Sequence, residues 1–247
     1  MAKAVNSRYR EITKKFDSLA GSKGLWEVWN DVIQIIATSI SNVFDSGERM
    51  KQREKIYCDT VAKYSDEDMK TVIEIFNDII NRLEENQDQD LLGDIYMNLN
   101  FGSAALGQFF TPYSVSRAMA ECAVEIEQVK SEIDKKGYIE INEPCCGGGA
   151  NIIAALMYLK KNGINYQTDC FVVCQDLSYV TALMCYIQLS LLGAAAIVKI
   201  GNTLTDPVIK NQSILELDTS VWLTPMYQNE LWKGRRIARL FDEMVMR

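Results

Sequence analysis

Short polar segments of the chain carry the residue types best suited to binding a small molecule. Residues 142–149 (NEPCCGGG) contain three successive glycines, which let the backbone turn sharply and approach a ligand closely. Ala150 and Asn151 stand where a phosphate-binding P-loop needs Lys and Ser or Thr, and the third glycine of GxGxxG is missing, so a pyrophosphate ligand is disfavoured. A tight turn without a ligand is the alternative.

Asp176 and Asn202 are two further candidates. Asp176 follows the apolar residues 170–175, where an acidic side chain accepts the hydroxyl protons of a ribose in a doubly wound sheet; an acid at a helix N-terminus is the alternative. Asn202 suits contact with the edge of a base, or a simple turn. Because the carboxyl ends of parallel strands meet at one edge of a sheet, the glycines, Asp176 and Asn202 together predict an adenosine ligand without a pyrophosphate.

Alternating strand and helix patterns position these segments. Strands are predicted at residues 138–142, 170–175, 195–200 and 220–223, and helices at 113–130, 148–161, 178–192 and 228–246. This alternation implies an α/β fold, with a parallel sheet covered on both faces.

Residues 1–100 have a helical pattern instead. Apolar residues recur at steps of three and four, as in Trp26, Trp29 and Ile33, which predicts four or five helices. Ser65 precedes an acidic run and is a predicted N-cap. We therefore expect a helical N-terminal region, residues 1–100, and an α/β domain, residues 101–247.

Composition excludes several classes of protein. The 247 residues include no His, which excludes Ser-His-Asp and Cys-His catalysis and any His-ligated metal. The seven cysteines form no CxxC pair, so we expect no metal centre but buried, reduced thiols, and without an apolar signal segment we expect a cytoplasmic protein. Residues 177–198 are uncharged and long enough to span a membrane, but Gly193 divides them, which favours a buried helix and strand.

Two motifs in order carry a specific resemblance. Residues 107–112 (GQFFTP), followed by a helix and then by residues 142–149, resemble the modification subunit of type I restriction–modification systems. Members of that family are S-adenosylmethionine-dependent DNA adenine-N6 methyltransferases. The resemblance covers about residues 101–227 and implies a shortened Rossmann-like methyltransferase sheet, incomplete within residues 101–247.

The resemblance also implies a role for individual residues. The segment after Phe109 would close over the methionine end of the cofactor, and Glu143 and Gly147 would flank its amino and carboxylate groups. Asp176 would hold the ribose, and Asn202 would stand in for an Asp beside the adenine amino group. The implied cofactor-binding residues are Phe110, Thr111, Pro112, Glu143, Gly147, Gly149, Asp176 and Asn202.

The catalytic motif of that family, Asn-Pro-Pro-Tyr or a close variant, is absent from this sequence. The nearest match has Thr224 in place of Asn, then Pro225, Met226 and Tyr227. The resemblance implies that Thr224 and Pro225 accept the target amino group and that Tyr227 stacks on a flipped adenine. A Thr hydroxyl is a shorter and weaker acceptor than an Asn amide, and the alternative is that this segment merely ends a strand.

Two kinds of partner are expected. A basic cluster near the C-terminus suits DNA phosphates, or is simply a solvated helix face, while the net charge of −7 argues against tight unaided binding to a duplex. A sheet ending at its fourth strand exposes that edge, which predicts a homodimer or a partner subunit. The basic residues are Lys233, Arg235, Arg236 and Arg239.

Three functional hypotheses follow. The first is a DNA adenine-N6 methyltransferase, in a compact form typical of a phage or mobile element. The second is a catalytically degenerate module that binds S-adenosylmethionine in a regulatory, anti-restriction or partner-subunit role. The third is a structural α/β protein with a vestigial pocket.

Overall fold

A computed structural model describes residues 7–21, 23–99, 101, 110–208 and 217–245 of the chain. The described part of the first hundred residues forms five α-helices, which confirms the expected number. These helices are α1 (Arg10–Ala20), α2 (Leu25–Asn42), α3 (Gly47–Val61), α4 (Asp66–Glu85) and α5 (Leu91–Asn98).

Helix α4 shows how local sequence sets a helix start. The Ser65 hydroxyl accepts a hydrogen bond from the Asp68 backbone N–H (3.2 Å), and Asp68 Oδ2 accepts one from the Ser65 backbone N–H (3.1 Å). This capping box satisfies two donors that a helix N-terminus otherwise leaves open. The predicted N-cap at Ser65 is therefore confirmed.

The remaining elements build and cover a four-stranded sheet. Its strands are β1 (Ile139–Glu143), β2 (Cys170–Asp176), β3 (Ala195–Ile200) and β4 (Val221–Leu223). The helices after residue 110 are α6 (Tyr113–Ala123), α7 (Ile126–Lys136), α8 (Ala150–Lys161), α9 (Tyr166–Asp169), α10 (Tyr179–Leu191) and α11 (Glu230–Val245). The single helix expected over residues 113–130 is two helices, because the backbone is extended at Val124 and Glu125.

The strands lie in the order β1-β2-β3-β4. Pairing is parallel from β1 to β2 and from β2 to β3, as expected, and antiparallel from β3 to β4. The expectation of an all-parallel sheet is therefore wrong for β4. The strands follow sequence order, so the described sheet also lacks the reversal of strand order that marks a doubly wound Rossmann sheet.

Apolar clusters lie on both faces of the sheet, as predicted. On one face Val172, Cys174 and Val198 join a core shared with the N-terminal helices, α8 and α10. On the other face Phe171 and Ile197 pack with residues from α11 and from a 3-10 helix at Met226–Gln228. The first cluster runs without a break from α1 to β4, so the helical region and the sheet share one core.

An arginine from α3 fastens the edge strand. The guanidinium of Arg53 stacks over the Trp222 ring at 3.8 Å from its centroid, donates to the Val221 carbonyl (2.7 Å) and pairs with Asp45. Arg53 and Asp45 side chains are each 1% exposed. The expected exposed edge at β4 is thus covered in part by α3, and association with a second copy or a partner stays a prediction.

Two expectations about residue environment have mixed outcomes. Cysteines 146, 170, 174 and 185 are buried and free, but Cys58, Cys122 and Cys145 are exposed, so the expectation of uniformly buried thiols is wrong for these three. No helix in the described ranges is long and apolar enough to cross a membrane. The uncharged residues 177–198 form α10 and β3 within the core, as predicted.

Candidate functional site

The glycine loop (residues 144–149) connects β1 to α8 and depends on left-handed backbone conformations. Gly147 has φ +51° and Gly149 has φ +103°, which L-residues with side chains rarely adopt. The Cys146 N–H donates to the Gln175 carbonyl (2.9 Å), so the loop is fastened to the carboxyl end of β2. A Cβ on Gly147 would lie 3.3 Å from the Phe110 ring, so glycine there admits the aromatic side chain.

Asp176 ends β2 and faces this loop. Its Oδ2 accepts a hydrogen bond from the Gly147 N–H (2.8 Å), and its Oδ1 accepts from the Ser178 N–H (2.9 Å) and the Thr181 hydroxyl (3.0 Å). Three donors therefore fix the orientation of the carboxylate. A carboxylate offers about four acceptor positions, so capacity remains for a ligand.

A pocket of about 190 Å³ lies between the loop, Asp176 and the segment before α6. The predicted residues Phe110, Thr111, Gly147 and Asp176 all line it. Of the other lining residues, Cys145, Cys146 and Gly148 belong to the predicted segment 142–149, whereas sequence reasoning missed Ala150, Asn151 and Thr181. For Thr181 a signal was available, since a Ser or Thr three residues after a helix N-cap faces back toward the cap.

The segment after Phe109 reaches the pocket because α6 packs against α8. Phe110 is half-buried against the Tyr96 ring, 4.9 Å between centroids, and Pro112 immediately precedes α6. Pro112 is exposed and Gly149 faces Cys185, so these two predicted residues flank the pocket without lining it. Residues 107–109 of the expected motif lie outside the described residues.

Glu143 supports the loop from below. Its Oε1 accepts from the Cys145 N–H (3.2 Å), and its Oε2 accepts from the Asn151 amide (3.3 Å), whose oxygen in turn accepts from the Ser116 hydroxyl (2.8 Å). This chain of bonds joins α6, α8 and the glycine loop. Glu143 therefore does not line the pocket itself, but it bonds to two residues that do, Cys145 and Asn151.

Asn202 does not reach the pocket lining. The side chain is exposed, and its Oδ1 accepts from the Leu204 N–H (2.9 Å), so the amide stabilises its own turn. The neighbouring Thr203 hydroxyl donates to the Pro144 carbonyl (2.6 Å), which brings this turn against the glycine loop. The expectation that Asn202 faces a bound base is not met in this arrangement.

The predicted catalytic residues lie at the end of the sheet opposite the pocket, where β3 begins. Because β4 is antiparallel to β3, Thr224 follows β4 toward the beginning of β3, where its hydroxyl donates to the Ala194 carbonyl (2.7 Å) and accepts from the Ala196 N–H (2.8 Å). Ala196 is four residues from the end of β3, a distance of about 13 Å along the strand. Thr224 is fully buried, and its hydroxyl is committed to the sheet.

Pro225 and Tyr227 share this location. Pro225 precedes the 3-10 helix, and the buried Tyr227 ring stacks on Phe171 at 5.0 Å with 16° between planes. Burial raises the pKa of Tyr227. The ring is thus already stacked within the protein, so the expectation that Thr224, Pro225 and Tyr227 complete the pocket is not met.

The basic cluster on α11 is largely engaged within the chain. Arg235 lies over the Trp232 ring at 4.6 Å and donates to the Gly137 carbonyl (2.8 Å). Arg236 lies over Tyr227 at 4.4 Å, and Arg239 pairs with Glu140 of β1 at 3.5 Å. Lys233 pairs with Glu230 at 3.5 Å on the exposed face. These contacts engage all three arginines within the chain, and Arg239 joins α11 to β1, which weakens the case for DNA contact through them.

Comparison with known proteins identifies the family. A family model described as N-6 DNA methylase matches residues 87–243, more than half of the chain. No curated protein and no solved structure matches the chain. The matched residues include the pocket segment, the glycine loop, Asp176 and β4. The chain belongs to the N-6 DNA methylase family.

Proposed function

We propose that the chain binds S-adenosylmethionine in this pocket and serves methyl transfer to the N6 amino group of adenine in DNA. The observation that carries the proposal is the convergence of Phe110, the glycine loop and Asp176 on one pocket. Membership of the N-6 DNA methylase family supports DNA methylation as the reaction. In this proposal β1 to β3 and their crossover helices are the cofactor-binding part of a Rossmann-like sheet.

Asp176 is suited to the ribose. Thr181 has one hydroxyl proton and two acceptors within reach, Asp176 Oδ1 (3.0 Å) and the Ser178 carbonyl (3.2 Å). When the proton turns to the Ser178 carbonyl, a second acceptor position on Asp176 opens without leaving the hydroxyl unpaired. The carboxylate then accepts both ribose hydroxyls while Gly147 and Ser178 continue to orient it.

The negative charge around the pocket also supports binding of this cofactor. The bound cofactor supplies an activated methyl group on a positively charged sulfonium, and its methionine end carries an ammonium group. Asp176 lines the pocket and Glu143 lies behind its floor. These carboxylates offset positive charge that would otherwise be costly to bring into a partly buried pocket.

The size of the pocket indicates which part of the cofactor it encloses. Its volume of about 190 Å³ is below the roughly 300–1,000 Å³ of sites that bury a whole drug-sized ligand. The ribose and part of the methionine arm would fill it, leaving the adenine at the rim. Leu177, the residue after Asp176, and Leu204 are 74% and 92% exposed and offer apolar surface to a base.

A second candidate is a binding module without catalysis. It is favoured by the position of Thr224, whose hydroxyl is buried beside the beginning of β3, at the end of the sheet opposite the pocket. A regulatory, anti-restriction or partner-subunit role belongs to this candidate. The two candidates share the cofactor pocket and differ in whether a methyl group reaches DNA.

Calorimetry tests the shared part. We expect S-adenosylhomocysteine and S-adenosylmethionine to bind the wild-type chain, and Asp176→Asn to weaken binding at least tenfold. Asp169→Asn, which changes an acid next to the opposite end of β2, is the matched control and should bind as the wild type does. Absence of binding to the wild-type chain would overturn the proposal.

A transfer assay separates the candidates. The chain is incubated with radiolabelled S-adenosylmethionine and DNA of mixed sequence, with and without a lysate of its host, and the DNA is analysed for N6-methyladenine. Label in adenine supports the enzyme. Cofactor binding with no transfer under either condition supports the binding module.

A further inference from the structure

Three buried thiols converge beneath the glycine loop. Cys146 comes from the loop, Cys174 from β2 and Cys185 from α10, and their sulfur atoms all lie within 4.8 Å of one another. Cys146 is 6% exposed, and Cys174 and Cys185 are both 0% exposed. A loop, a strand and a helix thus deliver one sulfur atom each to the same point.

The geometry is close to that of a metal site. A metal–sulfur bond of about 2.3 Å places the sulfur atoms of a trigonal or tetrahedral site about 4 Å apart. The thiols therefore need to move by less than about an ångström to share one ion. Gly149 assists, since a Cβ there would lie 3.1 Å from Cys185 Sγ and would crowd the sulfur.

The donor set selects the kind of ion. Sulfur ligands favour soft ions, and the chain contains no His to add a nitrogen ligand. Hydrogen bonds among the three thiols and their burial together leave the pKa of each well above the ordinary thiol value. The charged groups that influence them, Asp90, Asp176 and Glu143, are all acidic, so a cation is the complementary ligand.

We propose that Cys146, Cys174 and Cys185 form a binding site for a soft divalent cation such as Zn²⁺ or Cd²⁺. All three thiols lose their protons to solvent as three metal–thiolate bonds form, since the thiolate is the form that binds a metal ion. The positive ion then offsets most of the negative charge that the buried thiolates bring. An ion held this way joins the glycine loop to β2 and α10.

Cadmium titration tests the site in the full chain. The reduced protein carries Cys58→Ser, Cys122→Ser and Cys145→Ser to remove the exposed thiols. We expect an ultraviolet thiolate-to-metal charge-transfer band that saturates at one Cd²⁺ per chain, with three protons released per ion. No band, or a band without a one-to-one end point, would overturn the proposal.

A matched pair of variants assigns the ligands. Cys174→Ala should weaken Cd²⁺ binding at least tenfold, and Cys185→Ala should do the same from a different element. Cys170→Ala removes another buried thiol of β2 and should leave the band unchanged. Equal loss from Cys170→Ala and Cys174→Ala would contradict the assignment, provided that circular dichroism shows folded protein.

X-ray absorption of the Zn²⁺-loaded chain gives a readout independent of any variant. A first shell dominated by sulfur at about 2.3 Å is expected. A shell dominated by oxygen or nitrogen would exclude the site. These measurements use no cofactor, so their failure leaves the proposed function untouched, and failure of cofactor binding leaves the metal site standing.

Discussion

The proposed contact between the Asp176 carboxylate and a ribose gives the sharpest prediction, because it can be changed from both sides. On the protein side, Asp176→Asn removes the charge and one acceptor oxygen while keeping the size. On the ligand side, a 2′,3′-dideoxy analogue of S-adenosylhomocysteine removes both hydroxyls. If the carboxylate accepts hydrogen bonds from these hydroxyls, the effects of the two changes on the binding free energy must be strongly non-additive.

The structure sets the magnitude. Gly147 and Ser178 keep two acceptor positions occupied at 2.8 and 2.9 Å, and release of Thr181 leaves two for the ribose. A hydrogen bond to a charged group contributes about 1.5–3 kcal/mol. Loss of the charge should therefore weaken S-adenosylhomocysteine binding about 10- to 150-fold, given tenfold for each 1.4 kcal/mol.

Isothermal calorimetry of both ligands against both proteins completes the cycle. In the wild type, the dideoxy analogue should bind at least tenfold more weakly than the parent compound. In Asp176→Asn the same comparison should give less than about a threefold difference, because the partner of the hydroxyls has lost its charge. Thermal melting checks that Asp176→Asn remains folded, and Asp169→Asn controls for the charge change.

An equal penalty for the dideoxy analogue in both proteins would refute the reasoning. It would mean that the hydroxyls face some other group and that Asp176 serves only to hold the glycine loop. The coupling free energy between Asp176→Asn and removal of the ribose hydroxyls therefore distinguishes a ribose contact from a purely structural role.

Three further predictions concern the loop, the edge strand and a helix start. Gly147→Ala should destabilise the fold by about 1–2 kcal/mol, because Ala disfavours the left-handed conformation and its methyl group presses on Phe110; urea unfolding measures this, and an unchanged midpoint would contradict it. Arg53→Met should cost at most about 3–5 kcal/mol in urea, since the buried Asp45 then has Arg49, at 3.6 Å, in place of the Arg53 guanidinium; the double variant with Asp45→Asn should recover part of that loss, and a double variant no more stable than the single one would count against the ion pair. Hydrogen bonds from its capping partner lower the pKa of Asp68 below 3.8, so the stability it contributes is present above pH 4 and is lost as the pH falls through the lowered pKa. Thermal melts should show wild type more stable than Asp68→Asn at pH 7 and a gap that narrows as the pH falls below 4; a gap independent of pH would refute this assignment.

The pocket between the glycine loop and Asp176 was the part of the molecule most open to prediction from sequence. Glycines after one strand and an acid after the next must lie together once both strands are parallel neighbours, since parallel strands end at the same edge. Gly147 and Asp176 are in direct hydrogen-bond contact, at 2.8 Å, for that reason.

The direction of β4 was not predictable in the same way. Its three residues are all buried, so no alternation of exposed and buried positions marks a register or a partner. The contacts that hold it come from Arg53 and from Ala196, neither adjacent in sequence. Once β4 runs antiparallel, Thr224 necessarily moves away from the pocket.

Local competition explains the other differences. The side-chain oxygen of Asn202 accepts a hydrogen bond from the backbone N–H of Leu204, two residues further on, so this nearby donor occupies the group that a base would need. Arg235 and Arg236 form the pattern of a phosphate-binding helix, but Arg235 donates to the carbonyl of the distant Gly137 and Arg236 lies over the Tyr227 ring. Charge spacing along a helix does not distinguish these two outcomes.

The contact between Arg53 and Val221 spans 168 positions of the chain. During synthesis, the first helices therefore leave the ribosome long before the strand that shelters this guanidinium exists. Contacts of such high sequence separation slow folding, because most of the chain must be ordered before they form. The edge strand is consequently set in place only after residues 221–223 have been synthesised, and the N-terminal helices form before it with the Arg53–Asp45 pair still facing water.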